Sequence, residues 1–136
     1  MKSSITSLVR MGYCSTVDFT SGTITATFPD REDNVTKDLP VVCAGGFGAS
    51  NGMPSPGDTV VCLMFGNGRS DGVCLGIIPE RMPGTKATEG VYFEDGSYVY
   101  YDQAVQKLMI KANSGVVIEG DLTVSGTVSA SNLGGG

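Results

Sequence analysis

Carboxylates are the first candidates for chemistry in this chain. Asp30, Glu32 and Asp33 crowd into "PDREDN", and such a cluster could hold Ca²⁺ or exchange protons. A calcium loop alternates oxygen ligands around a glycine turn. That pattern is missing here, and the segment reads as a solvated loop. Glu94, Asp95 and Asp102 flank the tyrosines of "YVYYD". A retaining glycosidase needs two carboxyls about 5–5.5 Å apart beside a sugar cleft; a hairpin turn explains the same residues with fewer assumptions. Tyr92, Tyr98, Tyr100 and Tyr101 have two readings. They are a stacking platform for sugars or bases, or cross-strand packing and a collar at the junction of two parts of the chain. The second is preferred.

Other chemistries find less support. "GFG" and "GNG" look like phosphate loops, but neither is followed by a lysine or by a helix whose dipole would hold an anion. The chain has no histidine, which excludes a His-ligated metal and a Ser-His-Asp triad. Cys14, Cys43, Cys62 and Cys74 are too widely spaced for a CxxC motif. Each lies in an apolar, strand-like context and reads as a buried small hydrophobe in a reducing compartment. The even count also permits a disulfide pair.

With 136 residues, the length supports one domain, or a small domain with an appendage. Hydrophobic residues make up 40% and charged residues 17%, a globular composition. The net charge is -5, and there is no Lys/Arg run. Nucleic-acid binding needs clustered positive charge, so no nucleic-acid partner is expected. No apolar run reaches the ~20 residues of a membrane span. The N-terminus lacks the continuous apolar stretch of a signal peptide.

These residues must be positioned by strands. Glycines and prolines recur at the rhythm of short strands and turns. "SSITSLVRMG" reads as a short N-terminal helix or extended arm with Gly12 as its stop. "GYCSTVDF" and "TITATFP" form a hairpin across "TSG" at Gly22; "TKDLPVVC", "GDTVVCLMF" and "DGVCLGII" follow. Residues 44–58 hold five glycines and two prolines and read as a long exposed loop. Five strands and one long loop suit a closed barrel of the oligonucleotide/oligosaccharide-binding (OB) type. The expected organisation is an arm or helix over 1–14, the barrel over 15–80, a linker over 81–90 and a further all-β segment over 91–136.

The last segment poses a packing problem. A hairpin turning at Asp95-Gly96 leads into "QKLMIKANSG", "VVIEGD" and "LTVSGTVSA". Leu108, Ile110, Ala112, Val116, Ile118, Leu122, Val124 and Val128 share even numbering, so they could line one face of a ribbon. Lys107, Lys111, Glu119, Asp121, Thr123, Ser125 and Thr127 alternate with them. Roughly five strands at ~4.8 Å would make a shaft about 25 Å long. A lone ribbon leaves its apolar face wet and its edges unpaired. Two arrangements cover it: three copies wound about a common axis, or packing on the chain's own barrel.

The ordered series Arg10-x-Gly12, "STVDFTSGTITATFPDRED", "KDLPVV", the glycine-rich loop, "PSPGDTVVCLMFGNGRSDGVCLGII" and "EDGSYVYYDQAVQKLMIKA" resembles the baseplate assembly protein V family. These are the central spikes of contractile phage tails, tail-derived bacteriocins and injection systems. The most specific parts are Pro54/Pro56-Gly57-Asp58-Thr59-Val60, the strand 72–78, and the "DGS-x-V-x-YD" run 95–102.

The resemblance implies an all-β homotrimer, with an N-terminal OB-like five-stranded barrel and a C-terminal intertwined triple-stranded β-helix. It implies a virion or particle baseplate component, made in the bacterial cytoplasm without a signal peptide and non-enzymatic. Leu108, Ile110, Val116, Ile118, Leu122, Val124 and Val128 would form the trimer core. Gly45, Gly46, Phe47, Gly48, Asn51 and Met53 would contact the hub protein or a neighbouring protomer. Leu133, Gly134, Gly135 and Gly136 would form the tip. Many members end in a histidine-bearing, metal-binding apex; this chain ends in "ASNLGGG", so no metal or other cofactor is carried over. Three expectations remain open: a tip formed without metal, a separate tip protein over a blunt end, or a sequence cut short before its apex. The competing readings are an OB-fold binding module for oligosaccharide or nucleic acid, and a cell-wall-degrading tail component.

Overall fold

Alternating side chains build the first part of the molecule. In β2 (Thr23–Thr27) Ile24 and Ala26 are buried, and in β4 (Thr59–Met64) Val60, Cys62 and Met64 are. Period-two burial puts each set on one face. With β1 (Val9–Asp18), β3 (Leu39–Pro40) and β5 (Gly72–Ile77) these strands form an antiparallel sheet of order β3-β2-β1-β4-β5. The sheet curls until its ends meet: a parallel bridge joins Val41 to Cys74, and Val42 N donates to Cys74 O at 2.9 Å. The result is a nearly closed five-stranded barrel, compatible with the OB-like barrel expected. Its core is Cys14, Ile24, Ala26, Phe28, Leu39, Val60, Cys62, Met64 and Cys74.

The computed structural model describes residues 8–29, 35–66 and 71–132. The chain divides into two compact units, Met1–Met82 and Pro83–Gly136. Every element among the described residues is a strand, and no helix there is long and apolar enough to cross a membrane. Asp30, Glu32 and Asp33, and the tip residues Leu133, Gly134, Gly135 and Gly136, lie outside the described residues.

Several boundaries differ from expectation. Strand β1 starts at Val9 and runs through Gly12, because Val9, Met11 and Tyr13 pair with Leu63, Val61 and Thr59 of β4. Gly12 is therefore not a stop. It lies under the Phe28 ring, where a Cβ would collide with that ring and with the Thr27 carbonyl. A bulge between Cys14 and Thr16 then switches parity, so Val17 rather than an even-numbered residue packs on the core. Strand β3 is short, and Pro40 fits it because it stands opposite Thr23 at a position that donates no bond to β2; Val41 N then donates to Gly22 O at 3.0 Å. Thr36 takes over beside it: Thr36 N donates to Ala26 O at 2.9 Å, and its Oγ1 accepts from Ala26 N at 3.0 Å. Cys14, Cys62 and Cys74 are buried as expected, but Cys43 is exposed. It follows the Val41–Val42 closure, where the chain leaves the barrel for the glycine-rich loop.

The second unit is a three-stranded antiparallel meander, β6 (Thr88–Tyr92), β7 (Tyr98–Asp102) and β8 (Lys107–Lys111). Strand β6 starts inside the segment expected to be a linker. The Asp95-Gly96 hairpin forms as expected: Phe93 N donates to Ser97 O at 2.9 Å and Gly96 N to Phe93 O at 3.1 Å. Beyond β8 the expected strands over 116–130 do not form in the single chain. Positive φ at Gly115 and Gly120 breaks the run there, and these residues find no ladder partner within the unit.

Candidate functional site

The register of the meander sorts its side chains into two faces. Val91, Val99 and Ile110 lie in one row across β6, β7 and β8, and Glu89, Tyr101 and Leu108 in the next. Four of these neighbours are aliphatic, and Tyr101 adds an aromatic ring. Val91, Val99, Tyr101, Leu108 and Ile110 are all exposed in the single chain. The sequence grouped Leu108 and Ile110 by parity; the register adds Val91, Val99 and Tyr101, which odd numbering had hidden.

The opposite face carries the aromatics. The rings of Tyr92 and Tyr100 stack at 5.6 Å and 19°, and Tyr98 tilts against Tyr100 at 4.7 Å. Lys111 Nζ sits 5.9 Å from the Tyr98 ring centre. Burial against these neighbours, with the nearby Tyr98, pushes the Tyr100 phenol up. Cross-strand packing thus accounts for Tyr92, Tyr98 and Tyr100, while Tyr101 belongs to the apolar face.

Gly90 makes that stack fit. It lies opposite Tyr100, and a Cβ there would meet the Val99 carbonyl and the Tyr100 backbone. Gly90→Val is expected to displace Tyr100 and lower stability by ~1–3 kcal/mol, the usual range for overpacking. A weakened tyrosine signal in near-ultraviolet circular dichroism, with a lower Tm, would register it.

Two carboxylates of this unit, Asp95 and Asp102, are engaged in turns, while Glu94 is exposed beside the first. Asp95 Oδ1 accepts from Ser97 N at 2.9 Å, and Asn113 Nδ2 donates to Asp95 O at 2.6 Å. Hydrogen bonds from the Ser97 backbone, then from its side chain, hold the Asp95 carboxyl below its usual range. Asp102 Oδ1 accepts from Ala104 N at 2.9 Å. Both residues therefore shape turns, as the hairpin reading requires. Among the described residues no group of three or more Cys, Asp or Glu is placed to hold a metal ion.

Residues 116–128 continue the exposed apolar series. Val116, Ile118, Leu122, Val124 and Val128 are each about half or more exposed, with Leu122 at 69%. Ser97 is the one buried residue among those described in this unit. The unit has strands and turns but no apolar core inside a single chain.

In the barrel unit, the glycine-rich loop folds into a small hairpin. Gly45 bridges Ala49, Gly46 N donates to Gly48 O at 3.0 Å, and Ser50 N donates to Ala44 O at 2.8 Å. Phe47 stands at its apex, fully exposed at 115%. Gly45, Gly46, Gly48 and Asn51 are exposed around it. Met53 departs from this set: it is half-buried and packs on the barrel core. The loop closes where Asp58 Oδ2 accepts from Ser55 N at 2.8 Å.

Among the described residues, the apolar face of the second unit and the Phe47 hairpin of the first are both exposed. In comparisons with known proteins, the chain matches no family model and no curated protein.

Proposed function

We propose that the chain is the trimeric central spike of a contractile tail or tail-like particle. The observation that carries this reading is the exposed apolar series from Val91 to Val128 in a unit without a core of its own. An apolar face of this extent is costly in water, and burial recovers roughly 1.5–3 kcal/mol for each large aliphatic side chain. Three copies wound in parallel would bury it along a common axis. They would also supply ladder partners for residues 116–130, making an intertwined β-helix.

The mechanism is mechanical and needs no catalytic residue or cofactor. Sheath contraction supplies the force; interchain hydrogen bonds and a shared apolar interior supply a narrow body that resists unfolding. Three chains carry 3 × (-5) = -15 charges, which opposes adhesion to anionic lipid. Penetration then rests on shape and force. The barrel end, with the Phe47 hairpin, is the attachment to the baseplate hub. The assembled site of action is a virion or particle baseplate.

Light scattering of the full-length protein, and of a version ending at Met82, tests this. The expected masses are 3 × 14.1 = 42.3 kDa for the full chain and a monomer for the truncation. A monomeric full-length protein would overturn the spike. It would favour the OB-like barrel as a binding module for oligosaccharide or nucleic acid.

A further inference from the structure

Two of the buried cysteines face each other across one ladder. Cys62 of β4 and Cys74 of β5 are directly paired, and both are wholly inaccessible to solvent. Antiparallel pairs alternate between hydrogen-bonded and non-hydrogen-bonded, and side chains approach most closely at the latter. Phe65 N donates to Asp71 O at 3.1 Å, which fixes the phase of this ladder. Counting back two pairs from Phe65–Asp71 makes Leu63–Val73 hydrogen-bonded and Cys62–Cys74 non-hydrogen-bonded. The Cys74 carbonyl agrees: it turns away from β4 and accepts from Val42 N at 2.9 Å.

Such pairs have Cα atoms about 4.5 Å apart, inside the range of about 4.4–6.8 Å that a disulfide spans. Both side chains point to the same interior face. The Cys62 thiol contacts the Cys74 sulfur, which pushes Cys62 up and holds Cys74 down. All four cysteines are thiols in this structure.

We propose that Cys62 and Cys74 are a redox-modification site, closing a cross-strand disulfide that staples β4 to β5 when the protein meets a disulfide oxidant. With oxidised glutathione, one cysteine thiolate attacks the glutathione disulfide and releases one glutathione thiol. The second cysteine then attacks the mixed disulfide and releases the other. The protein loses two protons and two electrons, and the oxidant becomes two thiols. Both thiols are buried, so exchange requires β5 to part from the barrel closure, which is held at Cys74 by the Val41–Cys74 bridge and the Val42 N to Cys74 O bond. Cys43 takes no part, being exposed outside the barrel. Cys14 shares the buried cluster with both thiols but is registered with Ala26 rather than with either of them, and is the competing partner that the test must exclude. The inference stands whether or not the chain is a spike.

The test uses full-length protein with the exposed thiol removed, Cys43→Ser. Reduced protein is incubated with oxidised glutathione, unfolded with N-ethylmaleimide and digested with trypsin. Cleavage after Arg69 separates Cys62 from Cys74, so only a disulfide can hold their peptides together. The expected result is that joined pair, with Cys14 alkylated. The Tm of the oxidised barrel rises by about 10 °C and returns on reduction. A parallel sample, unfolded and refolded in the same oxidant, removes any barrier to access. Free, alkylated Cys62 and Cys74 in both samples would overturn the proposal, as would a bond from either of them to Cys14.

Discussion

If the chain forms the proposed trimer, Ile110→Asp is expected to reduce its mass in solution from 3 × 14.1 = 42.3 kDa to 14.1 kDa. Ile110 lies in a row with Val99 and Val91 on the exposed apolar face of the meander. Around a three-fold axis its three copies would occupy one cross-section of the shaft. Three carboxylates there would be desolvated and mutually repelling, and the two described rows of that face, Val91–Val99–Ile110 and Glu89–Tyr101–Leu108, hold no Lys or Arg to pair with them. Such burial costs several kcal/mol per charge, and protonation relieves it only at the expense of a raised pKa. Thr123→Asp adds the same charge at a position of the opposite parity, beside Asp121, and should leave the mass unchanged. Light scattering of the two variants at equal concentration distinguishes the outcomes. A trimeric Ile110→Asp protein of unaltered Tm would remove the shared apolar interior from the account.

The barrel was largely legible because its signal is local. Ile24, Ala26, Val60, Cys62 and Met64 alternate with polar or outward positions, and Gly22 and Asp95-Gly96 mark turns whose backbone demands are chemical. What escaped depends on partners that sequence spacing does not name. The bulge after Cys14 shifts parity without any residue that announces it. Val9 and Met11 face outward on β1, so their apolar character looked like a helix or an arm rather than a barrel strand. Cys43 has the same apolar flank as the buried cysteines, yet lies just past the barrel closure. The tyrosines show the same limit: Tyr100 and Tyr101 are adjacent in sequence, and only the pleat sends them to opposite faces. For residues 116–130, alternation fixes which side chains share a face but not what covers it. A strand exists only with a partner, and among the described residues of this unit none pairs with 116–130.

Leu39→Ala and Phe47→Ser should differ sharply in the version ending at Met82, although both remove a large apolar side chain from the same stretch. Leu39 is fully buried at 0% exposure, in the short strand β3 next to Ile24. Truncation there removes buried methyl groups and leaves a cavity, costing ~2–5 kcal/mol. A domain of this size then loses about 10 °C or more in Tm. Phe47 stands at 115% exposure on the apex of its hairpin, held by backbone bonds that do not involve its ring. Removing it should change stability by no more than about 0.5 kcal/mol. Thermal denaturation of the two variants measures both effects at once. An exposed aromatic that contributes nothing to the fold is free to serve a contact, and on the proposed reading Phe47→Ser should weaken assembly onto a baseplate hub without altering the barrel. If Phe47→Ser lowers the Tm as far as Leu39→Ala does, the ring belongs to the barrel's own packing and the hairpin is not the attachment surface.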